Sequence, residues 1–225
     1  MKRRSILTAC LLGMLPFLVG RSFARSKSWD APRLVGSTCS GCHGVDGNAP
    51  LPYIPKLAGL QASYTEKKLN DFREPVALST DEIFEWARKR ASIHNAVSTR
   101  QARVNMLGIS LSSTAAELKK AALWYEKQIP ARGHGADSNL AQSGRDIFLN
   151  GVPAQHILAC KSCHGEKALG DTAAPRLASQ NSEYLVEQLQ KFRAGDRKHA
   201  PEMTQVARDL DDDQARAVAA YLHAE

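Results

Sequence analysis

Cys39-Ser-Gly-Cys-His-Gly44 and Cys160-Lys-Ser-Cys-His-Gly165 repeat one motif, Cys-x-x-Cys-His, at an offset of 121 residues. Three kinds of site use a Cys-x-x-Cys pair. A redox dithiol needs no histidine after it, and a zinc ribbon joins two pairs that are usually about 15–20 residues apart. Neither zinc nor a structural disulfide explains why both pairs end in histidine. The motif instead indicates covalent attachment of a c-type haem, twice in one chain.

The N-terminus has the features of an export signal. Basic residues 2–4 precede an apolar run over residues 6–19, and residues 22–24, Ser-Phe-Ala, suit a signal peptidase. The run is short for a membrane anchor, which needs about 20 residues, and a lipoprotein box ending at Cys10 would leave almost no hydrophobic region before it. Arg3 and Arg4 resemble the start of a twin-arginine signal. A chain that receives its haem outside the cytoplasm, however, has no need to cross the membrane in folded form. The sequence therefore predicts general secretion, cleavage after residue 24 and a periplasmic protein.

The remaining sulfur-containing residues support the haem interpretation. After residues 1–24 are removed, all four cysteines lie in the two motifs, and two methionines remain, Met106 and Met203, one downstream of each motif. A methionine is more often flexible core filler than a ligand. Two methionines for two motifs nevertheless predict a methionine opposite each histidine, which raises the reduction potential of a haem iron.

An internal repeat divides the mature chain into two halves. The segment Pro55-Lys-Leu-Ala58 aligns with Pro175-Arg-Leu-Ala178 at a spacing of 120 residues. The same register pairs Tyr64 with Tyr184, Leu69 with Leu189, Phe72 with Phe192 and Arg73 with Arg193. Turn-forming residues without an apolar period lie between the halves. The predicted organisation is a cleaved leader over residues 1–24, a first domain over 25–130, a linker over 131–138 and a second domain over 139–225.

The pattern within each half is helical, without a convincing alternating strand. Ser63-x-x-Glu66 and Thr114-x-x-Glu117 match capping boxes, and residues 211–213, all aspartate, place acid at the start of the last helix. A domain of about 90 residues with few aromatic side chains has a small core, which a buried porphyrin would complete. The predicted fold is all-α, with two tandem domains that each wrap around one covalently bound haem.

These motifs resemble the small c-type cytochromes with histidine and methionine ligands, and specifically the dihaem cytochrome c4 family. The resemblance covers nearly the whole mature chain. It is carried by CSGCHGVDGNAP from Cys39, IPKLAGLQASYTEKKLNDFR from Ile54, GRDIFLNG from Gly144, CKSCHG from Cys160 and APRLASQNSEYLVEQLQKFRAGDR from Ala174. The combination of these stretches is specific.

The resemblance implies the residues that hold two covalent haem c groups and their irons. They are Cys39, Cys42, His43 and Met106 for the first haem, and Cys160, Cys163, His164 and Met203 for the second. The family's proline, which matches Pro55 and Pro175, offers its carbonyl to the proximal histidine and fixes its tautomer. Arg73, Arg193 and Arg197 are candidate partners of haem propionates, or simply solvated charges.

The first half departs from the family pattern in length. From the proximal histidine to the methionine there are 63 residues in the first half and 39 in the second. The extra segment, about 74–104, has apolar residues at helical spacing and predicts an added helix. It contains His94, an alternative to Met106 as sixth ligand, and residues 88–90, Arg-Lys-Arg. The basic run is either an ordinary solvated face or a docking surface.

The two halves differ in charge. Residues 25–133 hold 16 Lys and Arg against 10 Asp and Glu, a net charge of +6, whereas residues 134–225 hold 10 against 13, a net charge of −3. The mature sum is +3, below the +7 of the full chain, and four haem propionates would lower it further. This excludes a strongly basic nucleic-acid binder. Such asymmetry could orient one haem toward a donor and the other toward an acceptor.

The predicted function is that of a periplasmic electron carrier, not an enzyme. The family resemblance implies redox partners such as a quinol-oxidising complex and a terminal oxidase, with peripheral membrane association possible. One alternative is a haem enzyme with an open iron, such as a dihaem peroxidase or a thiosulfate-oxidising cytochrome. Another is the electron-accepting cytochrome subunit of a dehydrogenase, with the inserted segment as its interface.

Overall fold

A computed structural model of the protein describes residues 30–73, 99–135, 137–197 and 199–225. The predicted leader, residues 74–98 of the predicted insert and its His94 lie outside these ranges. In the described part, no helix has both the length and the apolar character that a membrane crossing requires.

Both halves are helical, as the sequence predicts. The helices of the first half are α1 (Ser40–His43), preceded by a π-helical turn (Val35–Cys39), α2 (Ala62–Arg73), α3 (Thr99–Ser112) and α4 (Ala115–Glu126). Those of the second half are α5 (Ser138–Asn150), α6 (Lys161–His164), α7 (Ser182–Arg193), α8 (Pro201–Ala207) and α9 (Asp212–Ala224). Within the described residues, β pairing is limited to an isolated bridge between Val152 and Ile157.

Two of the three predicted helix starts are confirmed. Thr114 forms a capping box with Glu117 at the start of α4, and Asp211 caps α9. The box at Ser63 is wrong, because α2 already begins at Ala62. The Ala62 amide donates to Glu126 Oε1 at 2.9 Å, so a residue of α4 satisfies the first of the free amides at the start of α2.

The core of the first half is small and lies next to its Cys-x-x-Cys-His motif. Val35, Ala121 and Tyr125 form its buried centre, and the partly buried Cys39 and Trp124 pack against it. Helix α2 packs on both α3 and α4. The motif is therefore held against the last helix of its own half.

The second half has a larger core, built where α9 crosses α5 and α7. At the crossing with α5, a Cβ atom on Gly144 would lie 1.9 Å from the carbonyl oxygen of Ala217, so only glycine permits this approach. One turn later the rings of Phe148 and Tyr221 pack with centroids 5.4 Å apart. Leu185 of α7 completes the buried cluster.

Candidate haem sites

The two Cys-x-x-Cys-His motifs adopt the same local structure. Each second cysteine and its histidine lie on a single helical turn, α1 or α6, which ends at a glycine with φ of +77° for Gly44 and +76° for Gly165. These left-handed positions favour glycine, since a Cβ atom would strain the backbone there. The turn buries the imidazoles: His43 is 8% exposed and His164 is 5% exposed.

Each buried imidazole is held by a proline carbonyl of its own half. His43 Nδ1 lies 2.9 Å from the carbonyl oxygen of Pro55, and His164 Nδ1 lies 2.9 Å from that of Pro175. Because a carbonyl only accepts, Nδ1 carries the hydrogen and Nε2 keeps its lone pair. Burial lowers the pKa of both imidazoles, against a smaller opposing effect of the carbonyl bond. Both are thus neutral imidazoles with Nε2 available to a metal ion.

The thiols beside these imidazoles complete a donor set that fits haem c. Among the described residues Cys39, Cys42, Cys160 and Cys163 are all free thiols. Burial raises the pKa of Cys39 and of Cys160 to about 11, so these two are neutral thiols at physiological pH. Two thiols next to a tautomer-fixed imidazole match covalent attachment with iron bound at Nε2. The same set in both halves fits two groups.

The methionines lie on other helices. Met106 is half-buried in the middle of α3, which packs on α2, and Met203 is half-buried near the start of α8, which packs on α7. Each half of the chain therefore supplies one partly covered thioether on a helix separate from its motif.

Two of the arginines suggested as propionate partners bind backbone carbonyls. Arg73 donates to the carbonyl of Ser110 from Nε at 2.9 Å and to that of Ser113 from Nη2 at 3.1 Å. Its repeat partner Arg193 donates to the carbonyl of Leu210 at 2.7 Å. Both arginines therefore tie the end of one helix to the segment before the last helix of their half. A guanidinium has further donors, so for both residues the propionate role stays a prediction.

The third candidate, Arg197, stacks on an aromatic ring. Its guanidinium carbon lies 4.1 Å from the centroid of the Phe192 ring, and Nη2 lies 3.4 Å from the hydroxyl of Tyr64 in the first half. A different cation has an unsatisfied donor: within the described part of the chain, Arg176 Nε is buried without a hydrogen-bond partner. This residue directly follows Pro175, whose carbonyl binds His164 Nδ1.

Two aromatic residues support the first site in a way that the sequence interpretation missed. The hydroxyl of Tyr125 donates to the carbonyl of Gly44 at 3.1 Å, and Trp124 Nε1 donates to that of Val45 at 2.7 Å. Helix α4 thereby fixes the two residues that follow His43. The aromatic pair near the end of the half was the available signal, but the acceptors lie about 80 positions earlier in the chain.

Comparison with known proteins agrees with this geometry. The sequence model described as cytochrome c matches the chain twice, over residues 30–106 and 141–224. Cytochrome c4 of Stutzerimonas stutzeri is 31% identical over 191 residues, covering 83% of each chain. The thiosulfate dehydrogenase electron acceptor of S. stutzeri strain A1501 is 32% identical over 191 residues, covering 81% of this chain and 76% of that one.

A solved structure supports the same relationship. The crystal structure of reduced recombinant cytochrome c4 from Pseudomonas stutzeri superposes with a TM-score of 0.70 at 27% identity. The match covers 88% of this chain and 98% of that one. Two family matches, two motifs of one geometry and this superposition lead to one conclusion. The chain belongs to the cytochrome c family, as a dihaem member of the cytochrome c4 group that binds two haem c groups covalently and transfers electrons.

Proposed function

We propose that this protein is a periplasmic electron carrier with two six-coordinate haems, which takes electrons from one redox protein and passes them to another in a respiratory chain. The observation that carries the proposal is the duplicated site. In each half a buried, neutral imidazole is fixed through Nδ1 by a proline carbonyl 2.9 Å away, beside two thiols. In a six-coordinate haem each iron has a second protein ligand besides the histidine, and we propose a methionine for it.

The residues proposed for these roles are those implied by the family resemblance. Cys39 and Cys42 with His43 and Met106 hold the first haem, Cys160 and Cys163 with His164 and Met203 hold the second, and Pro55 and Pro175 orient the histidines. The bound group supplies a one-electron couple between ferrous and ferric iron. The chain keeps the histidine tautomer fixed, and with Met106 and Met203 as ligands neither iron would be open to a substrate. That is the property expected of a carrier.

We propose that the carrier works in the periplasm after loss of residues 1–24. The basic, apolar and small-residue segments of that leader support export. The mature chain then consists of a first domain over 25–130, with the insert at about 74–104, a linker over 131–138 and a second domain over 139–225. Two separate family matches, over residues 30–106 and 141–224, support the proposal of two domains.

The partners proposed from the family resemblance are a quinol-oxidising complex as donor and a terminal oxidase as acceptor. The charge asymmetry between the halves, +6 against −3, supports two different docking ends, because complementary charge mainly accelerates encounter. Electron exchange should therefore slow as salt rises.

A second candidate is supported by the relatives. The chain is 32% identical to the thiosulfate dehydrogenase electron acceptor noted above, and 29% identical to a protein of the same name from Thiomonas intermedia over 229 residues. In this candidate the protein is still an electron acceptor, but its donor is a dehydrogenase.

Stopped-flow reduction distinguishes the two candidates. The oxidised dihaem protein is mixed at low salt either with a reduced quinol-oxidising complex or with a thiosulfate dehydrogenase plus thiosulfate. Rapid reduction by the first donor alone supports the respiratory carrier, and rapid reduction by the second alone supports the dehydrogenase acceptor. Turnover of thiosulfate or peroxide by the protein without any partner would contradict both.

A further inference from the structure

The two halves contact each other through a glutamine side chain that is hydrogen-bonded to the backbone of the opposite half. Gln180 of the second half accepts a hydrogen bond from the Lys56 amide at its Oε1, at 2.7 Å, and donates from Nε2 to the Lys56 carbonyl at 3.0 Å. Gln180 is 8% exposed and Lys56 is 9% exposed. A buried side-chain amide that satisfies both polar groups of one peptide residue fixes that residue in position.

A reciprocal contact runs the other way. Gln61 of the first half accepts from the Arg176 amide at its Oε1, at 3.0 Å, and donates from Nε2 to the carbonyl of Leu169, also at 3.0 Å. Lys56 and Arg176 are equivalent residues, 120 positions apart in the register of the repeat. Each half therefore holds the same backbone position of its partner half.

The residue that is held lies next to the proximal histidine's anchor. Lys56 directly follows Pro55, whose carbonyl binds His43 Nδ1, and Arg176 directly follows Pro175, whose carbonyl binds His164 Nδ1. The bonded path from each glutamine therefore leads, through one peptide unit, to the imidazole of the other half.

A neighbouring residue strengthens the hold on the first half. Asn181 Nδ2 donates to the carbonyls of Leu51 at 3.1 Å and of Ile54 at 2.8 Å. Ile54 precedes Pro55, so side chains of the second half bind the residues on both sides of this proline. For Arg176, Gln61 makes one such backbone bond where Gln180 makes two to Lys56. The coupling toward the first site should be the stronger one.

We infer that Gln180 and Gln61 are crossed positioning residues, each of which sets the proximal histidine of the haem in the opposite half. The inference rests on the proposed ligation of the irons by His43 and His164. A strong hydrogen bond from Nδ1 to a carbonyl raises the basicity of the imidazole and favours ferric iron. Weakening the bond to the Pro55 or Pro175 carbonyl should therefore raise the reduction potential of the haem in the same half as that proline, and of that haem alone.

The test uses the intact dihaem protein. Gln180→Met and Gln61→Met keep side-chain length and remove the amide. Tyr64→Phe is the matched control, because it removes a contact between the halves, to Arg197, that involves neither proline segment. The reduction potential of each haem is measured by a redox titration that is monitored by NMR. The haem methyl signals are first assigned to the first or the second half. Hydrogen exchange of the Lys56 and Arg176 amides is measured on the same samples.

Gln180→Met should raise the reduction equilibrium constant of the first haem about threefold, which is about 28 mV for a one-electron couple, and leave the second unchanged. The Lys56 amide should exchange about tenfold faster. Gln61→Met should give the converse pattern, with a smaller shift at the second haem and faster exchange at Arg176. Tyr64→Phe should shift neither potential.

Three results would overturn the inference: equal shifts at both haems, a shift confined to the half that carries the substitution, or unchanged potentials with accelerated exchange. In the last case the glutamines only join the halves. If the wild-type spectrum lacks histidine ligation, the proposed function fails and this inference fails with it. If histidine ligation is present and the crossed pattern is absent, this inference alone fails.

Discussion

Tyr125 donates its hydroxyl to the carbonyl of Gly44 at 3.1 Å, which ties the last helix of the first half to the residue after His43. The tyrosine is 1% exposed, and burial of its hydroxyl raises its pKa, so it stays a neutral donor. With Trp124 bound to the next carbonyl, that of Val45, helix α4 fixes the loop that leaves the motif.

Tyr125→Phe should lower the free energy of unfolding of the first half by about 1 kcal/mol, since it leaves the Gly44 carbonyl without this donor. Trp124→Phe should cost a similar amount. Urea unfolding followed at the haem absorbance measures both. Leu123→Ala, on an exposed position of the same helix, is the control and should change stability by less than about 0.5 kcal/mol. Equal losses in all three variants would mean that the two bonds contribute nothing specific.

Arg73→Ala should destabilise the first half by about 2 kcal/mol, because a charged donor is lost from two backbone carbonyls. Arg73→Lys should restore only part of the lost stability, because an ammonium group cannot reproduce the planar arrangement of the guanidinium donors. In the second half Arg193→Ala should also destabilise, whereas Asp212→Asn should have little effect, because the Arg193–Asp212 ion pair is solvent-exposed. If Arg73→Ala instead altered haem content without altering stability, the predicted propionate contact would be the main role of this residue.

The intact protein should carry two haems that survive acid-acetone extraction, since all four described cysteines are free and lie in the motifs. Mass spectrometry of the mature chain counts them. Replacing Cys160 and Cys163 together by alanine should leave one haem, attached to the first half. A wild-type mass with one haem, or a disulfide within either pair, would contradict the assignment.

Met203→Ala should open the second iron, lower its reduction potential and allow carbon monoxide to bind, because a thioether ligand is lost from an otherwise closed site. Met106→Ala should do the same at the first iron. His94→Ala is the control and should leave both spectra unchanged. If His94→Ala altered the first haem while Met106→Ala did not, the sixth ligand of that haem would be histidine.

The sequence predicts features that depend on local pattern or on the repeat. Helices were predictable from periodicity, and the start of α4 was predictable because Thr114 and Glu117 satisfy each other within one turn. The contact of each proximal histidine with a proline carbonyl follows from the family resemblance, and the structure contains it in both halves.

Features that depend on the meeting of distant segments were not predictable in the same way. The local rule failed at Ser63 because α2 already begins at Ala62, whose amide is bound by Glu126 on another helix. A charge pattern shows that Arg73 is polar, but it does not show that carbonyls about 40 positions away bind it. The hydrogen bonds between the Gln180 side chain and the Lys56 backbone join residues 124 positions apart. Only the packing of one half on the other brings these residues together.

The central claim, two haems that each have a histidine and a methionine ligand, is tested most directly by the absorption spectrum of the purified wild-type protein. The oxidised form should show the methionine-to-iron band at an intensity of two haems per chain, and the reduced form should not bind carbon monoxide. A band of half that intensity, or carbon monoxide binding by the wild-type protein, would show an iron without methionine and would contradict the account of a closed dihaem carrier.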